Sequence, residues 1–312
     1  MSYDYDSQHL RLKPTTSQKM NPYETDPTKA PATDQYAAKH PVYGRYKPHP
    51  DDFVPNPPPG PSTSDDVIHY WERVILDKCT QANRMYEVDG WRDVFGLGSI
   101  IVMSSHLSVK PPETDHALRD ANDAAAISVA RDFLRDIGVQ VPIIYFQGKI
   151  NERDVLVQSR LPGVTLNVAW PYLTQEEKAS LREQGRQIVK KLDQLLPPPT
   201  KDAAEPSYAL PAMNPGKWDP ANVEYNILFG KRDGVEGEEK LGFAHNDFSE
   251  SNIIVMDGKI TGVIDWEMAG YFGLHRAGRV HGEVRHHIYE RAKPSEEQLA
   301  DLYYWNGLYE GL

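Results

Sequence analysis

Five apolar residues, Val67, Ile68, Trp71, Val74 and Ile75, fall on one helical face within "SDDVIHYWERVILDKC", behind a Ser/Asp start signal. A helix therefore opens the folded part of the chain. "WRDVFGLGSIIVMSSHLSVKPP" then reads as short strands broken by glycines and a polar turn. Its "FGLGS" glycines are better explained by a tight turn than by a phosphate-binding loop. The alternation gives way to helical spacing in "LRDANDAAAISVARDFLRDIG", which stops at Gly138. "VPIIYFQGKINERDVLVQSRLPG" supplies two further strands around a charged turn. These pieces predict a small sheet with one packed helix.

Beyond "LPGVTL" the pattern is helical. "TQEEKASLREQGRQIVKKLDQLLPPP" begins with Thr174 and Glu177 at capping-box spacing and ends on prolines. Proline and glycine dominate from there to about Lys240, apart from a short predicted helix in "PANVEYNILFG". "LGFAHND" reads as a strand entering a loop, and "NIIVMDGKITGVID" as a hairpin turning at Asp257-Gly258. Strands first and helices with an embedded hairpin afterwards predict a bilobal α+β fold.

Residues 1–65 lack periodicity, carry few large aliphatics and hold about half of the chain's 25 prolines. Such a segment buries too little apolar surface to offset ordering entropy, so it is expected to be a disordered arm. Its "NPPPGP" run could also serve a protein partner that reads polyproline. The rest, residues 66–312, amounts to about 245 residues, ample for a core. Its smaller lobe is expected at about 85–160 and its larger one at about 161–312.

The net charge of -11 argues against a nucleic-acid partner. No apolar run reaches membrane-spanning length, so no membrane partner is expected. The acidic start "MSYDYDSQHLRLKP" does not resemble a secretory signal, which makes the cytoplasm the expected compartment. A single cysteine, Cys79, precludes an intramolecular disulfide framework.

The chemistry concentrates in "GFAHNDFSESNIIVMDGKITGVIDWEMAG". A tight hairpin brings Asp247 and Asn252, on the loop entering its first strand, to the same end as Asp265, where its second strand exits. Asn252 and Asp265 could share Mg²⁺, which takes hard oxygen ligands, leaving Asp247 to accept a proton. The order H-x-D-x-x-x-x-N followed by a strand-end Asp is that of phosphoryl-transfer sites, which need a base, metal ligands and a cation.

"HNDFSESNIIV" with "GVIDWEMAG" resembles the aminoglycoside phosphotransferase and choline kinase-like superfamily, particularly its fungal members. "SRLPGVTLNVAWPYLTQEEKASL" extends the similarity, which covers about residues 85–310. The resemblance implies a protein-kinase-like fold and ATP- and Mg²⁺-dependent transfer of the γ-phosphate to a small-molecule hydroxyl acceptor. It implies Asp247 as catalytic base, His245 as a loop-shaping residue of the catalytic segment, and Asn252 and Asp265 as metal ligands. Lys110 is implied as the strand lysine on the nucleotide phosphates, with Asp123 as its helix partner where the family usually has Glu. Asn246 stands in place of the usual loop glycine, and the chain ends early at "YYWNGLYEGL". These departures leave open an alternative, a catalytically silent kinase-like binding module. "HGEVRHH" does not match a metal-binding His-Glu-x-x-His and reads as a helix bearing exposed histidines. Trp266 is expected to pack in the core. The absence of Asp-Phe-Gly and Ala-Pro-Glu landmarks disfavours a protein Ser/Thr kinase.

Overall fold

The computed structural model describes residues 46–58, 60, 64–86, 92–108, 115–170, 173–199, 205–215, 222–230, 240–285 and 304–312. The opening helix, α1, runs over Asp65–Lys78 and buries Trp71, Val74 and Ile75, as its apolar spacing requires. It covers an antiparallel sheet of β1 (Arg84–Tyr86), β2 (Asp93–Leu97), β3 (Ile100–Ser104), β4 (Ile144–Ile150) and β5 (Arg153–Ser159), in the order β1-β2-β3-β5-β4. Phe95, Leu97, Ile100, Val102, Phe146 and Val157 meet the helix in one apolar cluster. Each large side chain taken out of water there contributes about 1.5–3 kcal/mol. Cys79 closes the cluster, and burial pushes its thiol up to about 12.

Helix α2, Ala117–Arg135, lies between β3 and β4 in the chain. The expected packing of a helix on the sheet is met at β4, but Ala126, Ile127, Ala130 and Leu134 join the larger cluster of the second lobe, while α1 supplies the apolar cover of the sheet. That second lobe comprises β6 (Val164–Thr165), α3 (Leu166–Ala169), α4 (Gln175–Leu192), β7 (Ser207–Tyr208) and α5 (Val223–Phe229). It continues with β8 (Phe243–Ala244), β9 (Ile253–Met256), β10 (Lys259–Val263), β11 (Gly270–Tyr271) and α6 (Gly273–Val280). The capping box at the start of α4 is formed: Thr174 Oγ1 accepts from the Glu177 N–H, and Glu177 accepts from the Thr174 N–H. The sequence-predicted hairpin is β9–β10, with Lys259 opposite Met256 and Val263 opposite Ile253. Its two-residue turn places Asp257 at φ 51 and Gly258 at φ 73, the left-handed pair such a turn needs.

The arm expected to be disordered through residue 65 is not so throughout. Tyr46 makes an antiparallel bridge with Gly163, at the junction of the lobes, and both of its backbone groups are bonded there. Its ring lies over the Arg160 guanidinium at 4.5 Å, and its hydroxyl donates to Asp52 at 2.8 Å. The segment then crosses the β2–β3 turn, where Ser99 Oγ donates to the Phe53 carbonyl. A Cβ at Gly98, which sits at φ 53, would fall 2.6 Å from the Phe53 nitrogen. The folded part thus reaches back at least to Tyr46, because one buried aromatic ring and a backbone bridge supply the contacts that composition failed to suggest. Residues 1–45 lie outside the described residues.

Among the described residues no helix is long and apolar enough to cross a membrane. His281 is buried rather than exposed, with Nε2 bonded to the Trp305 carbonyl at 3.0 Å. His286 and His287 lie outside the described residues.

Candidate active site

The loop after β8 is built from inside outward. His245 is buried; its Nε2 contacts the Ile264 carbonyl at 3.0 Å and its Nδ1 receives the Asp247 N–H at 3.3 Å. Burial drives its pKa down to about 4, so the ring is neutral and ties the loop to the far strand of the hairpin. Asn246 takes φ 62, an angle Asn tolerates better than most residues, and its Nδ2 donates to the Met268 carbonyl at 3.0 Å. Asp247 follows, partly exposed.

A single turn of tight helix, Glu250–Asn252, leads from that loop into β9. Asn252 Nδ2 donates to the Asp247 carbonyl at 3.0 Å, and its own carbonyl accepts from the Ile264 N–H at 2.9 Å. The loop and the end of β10 are thereby laced together at one end of the hairpin, where the sequence put Asp247, Asn252 and Asp265. Asp265 follows β10 at φ 64, an uncommon angle for a non-glycine residue. Burial raises its pKa well above the usual carboxylate range, and Glu267, Asp247 and Asp123 push the same way.

Helix α2 meets this segment through four consecutive contacts. Arg119 pairs with Glu267 at 3.0 Å, and Asn122 Nδ2 donates to the carbonyls of Glu267 and Ala269 at 2.7 and 3.0 Å. Asp123 Oδ1 accepts the Trp266 N–H at 2.6 Å. Burial raises Asp123 to about 7, against the lowering effect of that bond. Trp266 is fully buried, as its reading as core required.

β3 ends at Ser104, and Lys110, the partner expected for Asp123, lies outside the described residues. The observed ion pair is Arg92 with Asp120, two parallel bonds of 2.6 Å, both side chains buried. Arg285 was also missed. It donates from Nε to the Asn246 carbonyl at 3.0 Å, stands 3.5 Å from Asp247 Oδ1, and pairs with Glu224 at 2.5 Å. Neither arginine could have been found from periodicity, since each meets partners tens of residues away.

A family model described as the phosphotransferase enzyme family, APH, matches residues 81–272, more than half of the chain. The chain belongs to that family. Solved structures similar to it include a streptomycin–ATP ternary complex of APH(2")-IIa, at 15% identity and TM-score 0.42, covering 70% of this chain and 83% of that one. A GDP and kanamycin complex of APH(2")-IIia has 12% identity and TM-score 0.44, with 77% and 83% covered. The macrolide 2'-phosphotransferase MphH from Brachybacterium faecium has 14% identity and TM-score 0.35, with 70% and 73% covered. No curated protein matches the chain.

Within the matched span lie Asp247, Asn252 and Asp265, together with α2 and the 265–269 segment it bonds to. The donor set suits a hard cation. With Nδ2 committed to Asp247, Asn252 presents its amide oxygen, and neither that oxygen nor the Asp265 carboxylate has a partner among the described residues. An amide oxygen and a carboxylate are hard donors of the kind magnesium takes. No cluster of three or more His, Cys, Asp or Glu able to hold a metal occurs among the described residues.

Proposed function

We propose that this family member is an ATP-dependent phosphotransferase acting on the hydroxyl of a small molecule. The observation that carries the reading is the lacing of the Asp247–Asn252 loop to Ile264, the residue before Asp265, at one end of the β9–β10 hairpin. Asn252 and Asp265 would hold Mg²⁺, which when bound supplies charge neutralisation to the phosphate oxygens. Asp247 orients the acceptor hydroxyl and takes its proton as the oxygen bonds to the γ-phosphorus and the bond to the ADP oxygen breaks. Arg285 Nε stands 3.5 Å from Asp247 Oδ1, and no hydrogen bond from the described residues ends on this carboxylate, which is thereby offered to the acceptor. His245, neutral and bonded on both nitrogens, fixes the loop and exchanges no proton. The net charge of -11 suits a neutral or cationic acceptor.

One contact favours the second reading, a silent binding module: the Arg285 guanidinium beside the base. ADP release measured across a panel of hydroxyl metabolites, against an acceptor-free control, separates the two. Acceptor-dependent release that falls by orders of magnitude in Asp247→Asn, with ATP affinity retained, supports the enzyme. Nucleotide binding without turnover on any acceptor supports the module.

A further inference from the structure

We propose that Arg92, gripped by Asp120, is the cation of the smaller lobe that holds the nucleotide's phosphates, in the role expected of a strand lysine. This rests on the phosphotransferase reading above. Asp93 pairs with Ser104, the last residue of β3, so Arg92 stands at the end of the sheet where β3 leaves it. β3 itself, Ile-Ile-Val-Met-Ser, carries no cation. On α2, Asp120 precedes by one turn the Asp123 that accepts the N–H next to Asp265. Arg92 is therefore linked through one helical turn to the segment bearing the candidate metal ligand, and its charge acts on Asp123 and Glu267.

The pair's own geometry argues for a ligand. A buried ion pair contributes little net stability, because desolvation offsets its Coulomb attraction. Arg92 is 7% exposed, yet its bonds to Asp120 use only one N–H on each terminal nitrogen. The other N–H groups have no partner among the described residues. A guanidinium keeps its charge under all conditions and presents planar donors that match phosphate oxygens, and Asp120 fixes that plane in advance. Among the neighbouring cations, Arg119 is spoken for by Glu267 and Lys149 by Asp154, and both are more exposed, at 37% and 52%.

The test uses the full chain and titration with Mg-ATP and, separately, adenosine, which shares the base and sugar but has no phosphate. Arg92→Ala should weaken Mg-ATP by about tenfold or more, the loss of one charge-assisted contact, with adenosine affinity unchanged within about twofold. Arg92→Lys should restore part of the loss, and Lys110→Ala should weaken Mg-ATP less than Arg92→Ala does. Should Arg92→Ala not fold, Arg92→Gln removes the charge while keeping a hydrogen bond to Asp120 and is read the same way. Unaltered Mg-ATP binding in the neutral variant, equal losses for ATP and adenosine, or a Lys110→Ala defect that accounts for the whole phosphate term would each overturn the assignment. Failure of the parent chain to bind Mg-ATP would instead remove the phosphotransferase reading, and this proposal with it.

Discussion

Tyr46→Ala should destabilise the folded domain by about 3 kcal/mol. The ring is 7% exposed, so its removal forfeits most of an aromatic burial, about 1.5–3 kcal/mol. Its face over Arg160 contributes about 0.5–2 kcal/mol more. The hydroxyl's bond to Asp52 is reached by water and is worth about 0.5–1 kcal/mol. These terms overlap, and relaxation recovers part of them. At about 2–4 °C per kcal/mol for a domain of this size, calorimetry should show a fall of about 6–12 °C in Tm. Tyr46→Phe, which keeps ring and cation contact, should lose no more than about 1 kcal/mol. Burial and then the Asp52 bond push the Tyr46 phenol up to about 12, so it remains a donor at neutral pH and the result should not depend on buffer between pH 6 and 8, as a rough range set by the unperturbed tyrosine value. Removal of residues 1–64 should cost at least as much as Tyr46→Ala. A Tyr46→Ala protein that melts with the parent would refute the reasoning and return the whole arm to the solvated tail its composition suggests.

Asp265→Ala should weaken Mg²⁺-dependent ATP binding more than Asn252→Ala does, since a carboxylate brings a full charge and an amide only a dipole; calorimetry with and without Mg²⁺ ranks them, and two negligible effects would place the metal elsewhere. Asp123→Ala should cost about 1–3 kcal/mol in urea denaturation because it orphans the buried Trp266 N–H, whereas Asp123→Asn keeps an acceptor and should lose much less. Thr174→Ala should cost about 1 kcal/mol by the same assay through loss of the α4 cap, and no change would show that the cap is replaced by water.

Features fixed by neighbours in the chain were legible in the sequence. The α1 stripe, the Thr174–Glu177 box, the Asp257-Gly258 turn and the short helix of α5 all depend on residues within a few positions of one another. The hairpin let three candidate site residues be placed at one end, because a tight turn of known length returns the chain to its starting end. What escaped were long-range meetings. Tyr46 with Gly163, Arg92 with Asp120 and Asp123 with Trp266 each join segments whose separation no period encodes. The same holds for His281, polar by type, which a single carbonyl bond and the packing around it draw inside. That α2 also joins the core of the larger lobe has a related cause: its stripe of alanines fits either neighbour, and only the tertiary arrangement decides.

That placement of α2 bears on how the two lobes can shift against each other. The helix is anchored in the larger lobe by its alanine and leucine face, and to the 265–269 segment by Arg119, Asn122 and Asp123. Sheet and α1 form a separate packed body, tied by Tyr46 to Gly163, a residue whose Cβ would strike the Val255 carbonyl of β9. A displacement of the sheet would therefore have to slide across α2, straining the contacts at the helix's first turn, Arg92 on Asp120 and the His116 N–H on Asp154. The bond between Asp123 and Trp266 joins two parts of the larger lobe's body, so it would hold the end of the hairpin that carries the candidate metal ligands through such a shift.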